Sequence, residues 1–348
     1  MEGFGKFYYG HLGTADNLEE LILLITYLSD SKTRLVAQTP EETQRSQAEL
    51  DLRRRSDQQE LQVLSKILVA VLSNPTHRQA VRKFINQLLR RPRKLSVRFR
   101  IALRLAESKL YVDSIRQKAK VAVVFAVHNL CKTRMQTQEE NPDGEDALRV
   151  KIKQLQDLFR NNPNLDWQLI IVDDGSHQRQ SGKFAEEILC REYLDYYNSG
   201  RVEVKYLQNK IGPKGGAIIY GMSEAVKQGA DYVIFTDSDV SSHLGLLGTA
   251  LRYLIEEDFG VAFGSRAMRD SIVLNRTLKR LIQSWQDTVI FNWLAIRPLL
   301  PWIRELRDTQ NSFKGFRREV LERILPFSHE RGFIFDAELL LLAKIAGY

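Results

Sequence analysis

The sequence predicts an α/β protein: a mostly parallel sheet flanked by helices, preceded by an all-helical accessory region. Three observations carry that expectation. From residue 119 onward, short β-branched runs alternate with helix-length stretches, the pattern of strand–helix–strand units. Several of those runs end in polar or acidic residues, at the strand ends where ligands bind in open α/β sheets. Before residue 118 the apolar residues recur at helical spacing, with no glycine-rich turns.

In the N-terminal region, Leu18, Leu21, Ile22, Ile25 and Leu28 form one apolar stripe, and Leu61, Leu64, Ile67, Leu68 and Val71 form another. The polar segment 39–60 between them opens with Thr39-Pro40-Glu41-Glu42, a good helix start. Residues 78–104 then carry ten Lys or Arg and no acid, above an apolar face of Val81, Phe84, Ile85, Leu88 and Leu89. Such a segment either lies on an anionic membrane or is a solvated basic face whose apolar side packs on protein. Nucleic acid ranks behind both as a partner. The accessory region is expected to span 1–118 and the sheet-forming domain 119–348.

The first expected strand is 120–129, KVAVVFAVHN, followed by a helix that stops near LQDLFRNNPN. The second is 167–176, WQLIIVDDGS, with a helix near 181–198 behind it. The third is 202–209, VEVKYLQN; the glycine-rich IGPKGG turn then leads into a helix through Val226. The fourth is DYVIFTDSD, 231–239. His128, Asn129, Asp173, Asp174, Asn209, Asp237 and Asp239 all fall at strand ends.

Composition narrows the function classes only a little. The chain has 348 residues, 43% hydrophobic and 27% charged, long enough to bury a sizeable core. A net charge of +8 favours an anionic partner. Cys131 and Cys190 are the only cysteines, which excludes a disulfide framework and zinc spacing and fits reduced thiols in a cytosolic setting. The N-terminus lacks a secretory pattern, and 289–303 is broken by Asn292, Arg297 and two prolines, so no membrane span is expected.

Three strand-end features describe a pocket. Asp237 and Asp239, two residues apart, suit a hard divalent cation such as Mg²⁺ or Mn²⁺, which takes one or two carboxylates plus substrate phosphates. The Lys210–Ala217 loop before a helix offers backbone N–H groups and Lys214 to an anion. Its spacing is not that of a Walker loop. Asp173-Asp174-Gly175-Ser176 can accept hydrogen bonds from a base or ribose, or serve as an ordinary turn. Jointly they fit a nucleoside diphosphate with a metal.

At VDDGS, N-x-x-G-x-K-G-G-A, TDSD, GSR (264–266) and RDTQNSFKGF (307–316), the chain resembles family 2 glycosyltransferases with the GT-A (Rossmann-like) fold. With FDAELL (335–340), it is most similar to the polyprenyl-phosphate branch, the dolichyl-phosphate glucosyltransferases and mannosyltransferase relatives. The first strand departs from that branch's P-x-Y-N-E, reading Ala126-Val-His-Asn-Leu130. The chain also stops before a strand with which such relatives continue.

The resemblance implies an inverting, metal-dependent transfer of sugar from a UDP- or GDP-sugar to a lipid phosphate, with Mg²⁺ or Mn²⁺ as cofactor. By motif position Asp173 or Asp174 would hold the nucleotide, with Asn129 beside them. Asp237 would reach ribose or metal, and Asp239 metal. Lys214, Arg266 and Lys314 would meet phosphates. Asp308, Gln310, Asp336 and Glu338 would line the acceptor side, with Asp308 and Asp336 the candidate catalytic acids. The expected location is cytoplasmic, peripheral on the inner membrane face. The competing readings are transfer to a sugar or glycerate-type hydroxyl, and a non-catalytic scaffold of the same fold that binds membrane or RNA.

Overall fold

In a computed structural model the described residues are 17–30, 50–90, 95–129, 131–176, 180–207, 214–266, 268, 271–272, 274, 308–309, 311–332 and 334–348. Residues 39–49 of the polar segment, the turn 208–213, the segment 289–303 and Gln310 lie outside them. The chain forms two compact units, Met1–Tyr111 and Val112–Tyr348, a division seven residues earlier than the composition change near 118.

The first unit is helical where described: α1 (Leu18–Ser29), α2 (Arg55–Ser73), α3 (Arg78–Leu89) and most of α4 (Val97–Ser114). The two expected apolar stripes are the buried faces of α1 and α2, with Leu21, Ile25, Leu61, Leu64, Leu68 and Val71 inside. The basic stretch 78–104 is not one amphipathic helix but falls on α3 and α4, with 91–94 outside the description. Val81 and Ile85 of α3 are buried, and α3 packs on α1 and α2, so its apolar side is already occupied by protein. Arg78, Arg82, Lys83 and Arg90 remain exposed. Arg98, by contrast, turns inward to Asp57 at 2.8 Å and Glu60 at 2.9 Å. A buried guanidinium needs such paired acids to offset its desolvation.

The second unit is the expected α/β domain. Its elements are β1 (Ala119–Val127), α5 (Cys131–Met135), α6 (Ala147–Phe159), β2 (Leu165–Asp173), α7 (Gln180–Glu192), α8 (Leu194–Asn198) and β3 (Val202–Tyr206). There follow α9 (Lys214–Lys227), β4 (Tyr232–Phe235), α10 (Leu247–Ile255), β5 (Val261–Phe263), β6 (Lys314–Arg317), α11 (Arg318–Ile324) and α12 (Phe335–Ile345). The strand order is β3-β2-β1-β4-β6-β5. β1, β2, β3 and β4 are parallel, whereas β6 runs antiparallel to both β4 and β5.

Register decides what meets at the strand ends. Val127 pairs with Asp173 across β1 and β2, and Phe235 pairs with Lys314 across β4 and β6. The chain steps from β1 outward to β2 and β3, then returns to add β4 on β1's other side. That reversal opens a crevice beyond β1 and β4. α9 and α12 cover the sheet through Ile218, Met222, Phe335 and Leu339, which pack with Val124, Val172, Phe235 and Phe316. Burying each such side chain contributes about 1.5–3 kcal/mol.

The expected helix 181–198 breaks at Tyr193, whose non-helical φ of −136° and ψ of 37° separate α7 from α8. β5 and β6 were not legible as strands, because runs of three and four residues are too short to display alternation. No described helix is long and apolar enough to cross a membrane.

Candidate active site

The D-D-G-S turn after β2 uses its first acid for architecture. Asp173 is buried, and its Oδ1 accepts from the Gly175 N–H at 3.0 Å and the Ser176 N–H at 2.8 Å. Its Oδ2 accepts from the Ser176 hydroxyl at 2.6 Å and the Gly182 N–H at 2.7 Å. Gly175 sits at φ +89°, the left-handed conformation that lets the turn fold back on that carboxylate. Asp173 therefore has little acceptor capacity left for a nucleotide.

Asp174 points elsewhere. Its Oδ1 lies 2.5 Å from Nδ1 of His128, at the end of β1, and burial pushes its carboxyl above the usual range against the pull of that imidazole. The Asn129 amide donates to His128 Nε2 at 3.0 Å, which puts the ring proton on Nδ1, donating to Asp174. Asp174 and Asn129 thus sit together beyond the carboxyl ends of β1 and β2.

After β4, Asp237 and Asp239 come off the strand end two residues apart, as expected. Lys214, the first residue of α9, pairs with Asp237 Oδ1, and the Ser312 hydroxyl donates to Oδ2 at 2.5 Å. Burial raises Asp237, but Lys214 and Ser312 outweigh it and hold the carboxyl below its ordinary value. Asp239 Oδ1 accepts from the Ser241 N–H at 3.1 Å, and Oδ2 lies 3.8 Å from Nη1 of Arg134. Among the described residues no cluster of three or more His, Cys, Asp or Glu could hold a metal alone. Two carboxylates completed by diphosphate oxygens still meet the requirement of a hard cation. The donor set fits Mg²⁺ or Mn²⁺.

On the acceptor side both candidate acids are paired. Arg266 grips Asp308 through its backbone N–H, Nε and Nη2, each at 2.8 Å. Burial raises Asp308, yet this fork outweighs it and keeps the carboxyl low. Lys314 is wholly buried rather than facing a phosphate. It donates to the Asn311 carbonyl and to Asp336 at 2.5 Å, and lies over the Phe235 ring. Burial pushes both partners toward neutrality, Asp336 up and Lys314 down.

Glu338 in the first turn of α12 is also a clamp. Its carboxylate accepts from the Ser328 hydroxyl at 2.7 Å and from the N–H groups of His329 and Glu330. The loop it holds presents the Arg331 carbonyl to the Gly216 N–H at 3.1 Å, at the start of α9. Arg266 keeps 36% of its side-chain exposure and Lys214 29%, so both remain reachable by an anion.

Sequence reasoning missed Arg134, Ser312 and Lys151. Arg134 donates to Ser238 Oγ at 3.2 Å, between the two aspartates of the D-S-D triplet. Lys151 interrupts the apolar stripe of α6, between Leu148 and Leu155 at helical spacing, which was a legible signal. Burial pulls its ammonium down to about 8, although Asp239, Asp237 and Glu145 act to raise it.

The family model for "Glycosyl transferase family 2" matches residues 141–325. A Saccharomyces cerevisiae dolichyl-phosphate beta-glucosyltransferase is 28% identical over 190 residues, 51% of this chain and 52% of that protein. Its Drosophila melanogaster namesake is 30% identical over 188 residues, 52% of each. The chain thus spans about half the length of the curated relatives it matches. Among solved structures, Mycobacterium tuberculosis glucosyl-3-phosphoglycerate synthase, in complex with Mn²⁺, UDP and glucosyl-3-phosphoglycerate, aligns at 17% identity. The TM-score is 0.42, over 68% of this chain and 67% of that one.

Proposed function

The chain belongs to glycosyl transferase family 2, and from that premise we propose that it moves a sugar from a nucleoside-diphosphate donor to a polyprenyl phosphate, with inversion at the anomeric carbon. The observation that carries the acceptor class is the pairing of both candidate bases: Asp308 is spent on Arg266, and Asp336 on Lys314. A hydroxyl acceptor must lose a proton to a base. A phosphate monoester, with a second pKa of about 6, is already an anionic nucleophile. The names of the dolichyl-phosphate relatives agree with a lipid phosphate and point to glucose as the sugar.

In this reading Asp174 and Asn129 hold the nucleoside, and the diphosphate lies beside Lys214 and the D-S-D pair. Asp237 and Asp239 would hold Mg²⁺ or Mn²⁺, which when bound supplies Lewis-acid stabilisation of the leaving group. An acceptor phosphate oxygen attacks the anomeric carbon. The bond to the diphosphate oxygen breaks, and its electron pair leaves with the nucleoside diphosphate. No proton has to move. Lys214 and Arg266 stabilise the charge on the departing and arriving phosphates. A lipid acceptor brings the enzyme to a membrane, on its cytoplasmic face, where the exposed Arg78, Arg82, Lys83 and Arg90 add a charge-based contact.

The test is a transfer assay with UDP- and GDP-sugars, Mn²⁺ or Mg²⁺, and a short polyprenyl phosphate. Label should reach the lipid, and Asp308→Asn and Asp336→Asn, once shown to be folded, should each keep kcat within about tenfold. Loss of a general base typically costs about 10²–10⁴-fold. A loss of that size for either variant with acceptor KM unchanged would turn the reading to a hydroxyl acceptor.

A further inference from the structure

The transfer step leaves one buried cation without a task. Lys151 is 1% exposed, and its Nζ has no hydrogen-bond partner among the described residues; only the Phe125 ring lies under it, at 5.6 Å. The acids acting on that ammonium are Asp239, Asp237 and Glu145. A second cation, Arg134, stands 3.8 Å from Asp239 and hydrogen-bonds Ser238. The third is Lys214, on Asp237. Protein cations therefore offset the charge of both D-S-D acids.

These cations differ in freedom. Lys151 is walled in, whereas Arg134 is 41% exposed and Lys214 29% exposed on long stems. A divalent ion arriving at Asp239 is repelled by a guanidinium 3.8 Å from the same carboxylate. We propose that Arg134 is a donor-binding residue held in reserve: it neutralises Asp239 until a divalent cation displaces it, then turns to the donor's diphosphate. Cation and nucleoside diphosphate consequently bind as a coupled pair, each strengthening the other by the same factor. The inference rests on the donor class argued above.

The test is calorimetry with Mn²⁺ alone, with UDP or GDP alone, and with both, on the wild type, Arg134→Gln, Arg134→Lys and Lys151→Met. The wild type should bind Mn²⁺ weakly alone and about 5–150-fold more tightly with nucleotide, the usual range of coupling between two sites. Arg134→Gln should bind Mn²⁺ alone several-fold more tightly while its coupling falls about three- to tenfold, the remainder coming from diphosphate oxygens on the ion itself; Arg134→Lys should retain most of the coupling. Lys151→Met should tighten Mn²⁺ alone with the coupling intact, because that side chain cannot turn. A coupled wild type with Arg134→Gln unchanged in both quantities overturns the inference and leaves the transferase reading standing. A wild type that binds neither UDP nor GDP with Mn²⁺ overturns both.

Discussion

His243 shows how far the buried lysine reaches. Its Nδ1 accepts from the Gly245 N–H at 3.0 Å, capping the turn before α10, and burial together with Lys151 lowers its imidazole from 6.5 to about 4. The unfolded chain takes up this proton near pH 6.5, the folded chain only near 4. Its contribution is therefore full above pH 6.5 and is lost as pH falls toward 4, by on the order of 2–3 kcal/mol. Denaturant titrations from pH 7 to 4 should show that slope, and His243→Asn, which retains an acceptor, should flatten it. Parallel slopes for the two proteins would remove His243 from the account.

The start of α9 is where two elements share one close contact. A Cβ on Gly215 would lie 2.6 Å from the Gly332 carbonyl oxygen and 2.7 Å from that of Arg331. Those are backbone atoms, on the loop that Glu338 of α12 clamps, so they cannot swing aside as a flexible side chain would. Gly215→Ala should push the loop off α9, costing about 1–3 kcal/mol as overpacking usually does. Because Lys214 is the neighbouring residue, the donor KM should rise as well. An alanine variant with wild-type Tm and donor KM would show that the loop yields freely, and the close approach would lose its importance.

Across the whole chain, charge separates by destination. Arg98 is buried with Asp57 and Glu60, whereas Arg78, Arg82, Lys83 and Arg90 face solvent on or beside α3. With the apolar side of α3 packed on α1 and α2, a membrane contact here is one of charge, not of insertion. Each exposed Lys or Arg near an anionic surface is worth about 1 kcal/mol, attenuated by salt. Reversing the four to Glu should release the protein from anionic liposomes at low salt, and raised salt should mimic the reversal in the wild type. Equal retention of both proteins would place any membrane contact elsewhere.

The alternation of strand and helix, and the collection of Asn129, Asp174, Asp237 and Asp239 at strand ends, were legible from the sequence. Periodicity of side chains and the point where an apolar run stops are local properties, and they survive without knowledge of neighbours. The partners of each charge were not legible, because pairing depends on residues far away in the chain. Asp173 and Asp174 are adjacent and alike, yet one clamps a turn and the other faces His128. The insertion of antiparallel β6 between β4 and β5 brought Lys314 beside Phe235 and so delivered Asp336 to a buried ion pair. The same folding buried Lys151 within electrostatic reach of Asp237 and Asp239. A low-dielectric interior makes an unpaired charge costly, so tertiary packing, not sequence neighbourhood, decided which partner each acid met.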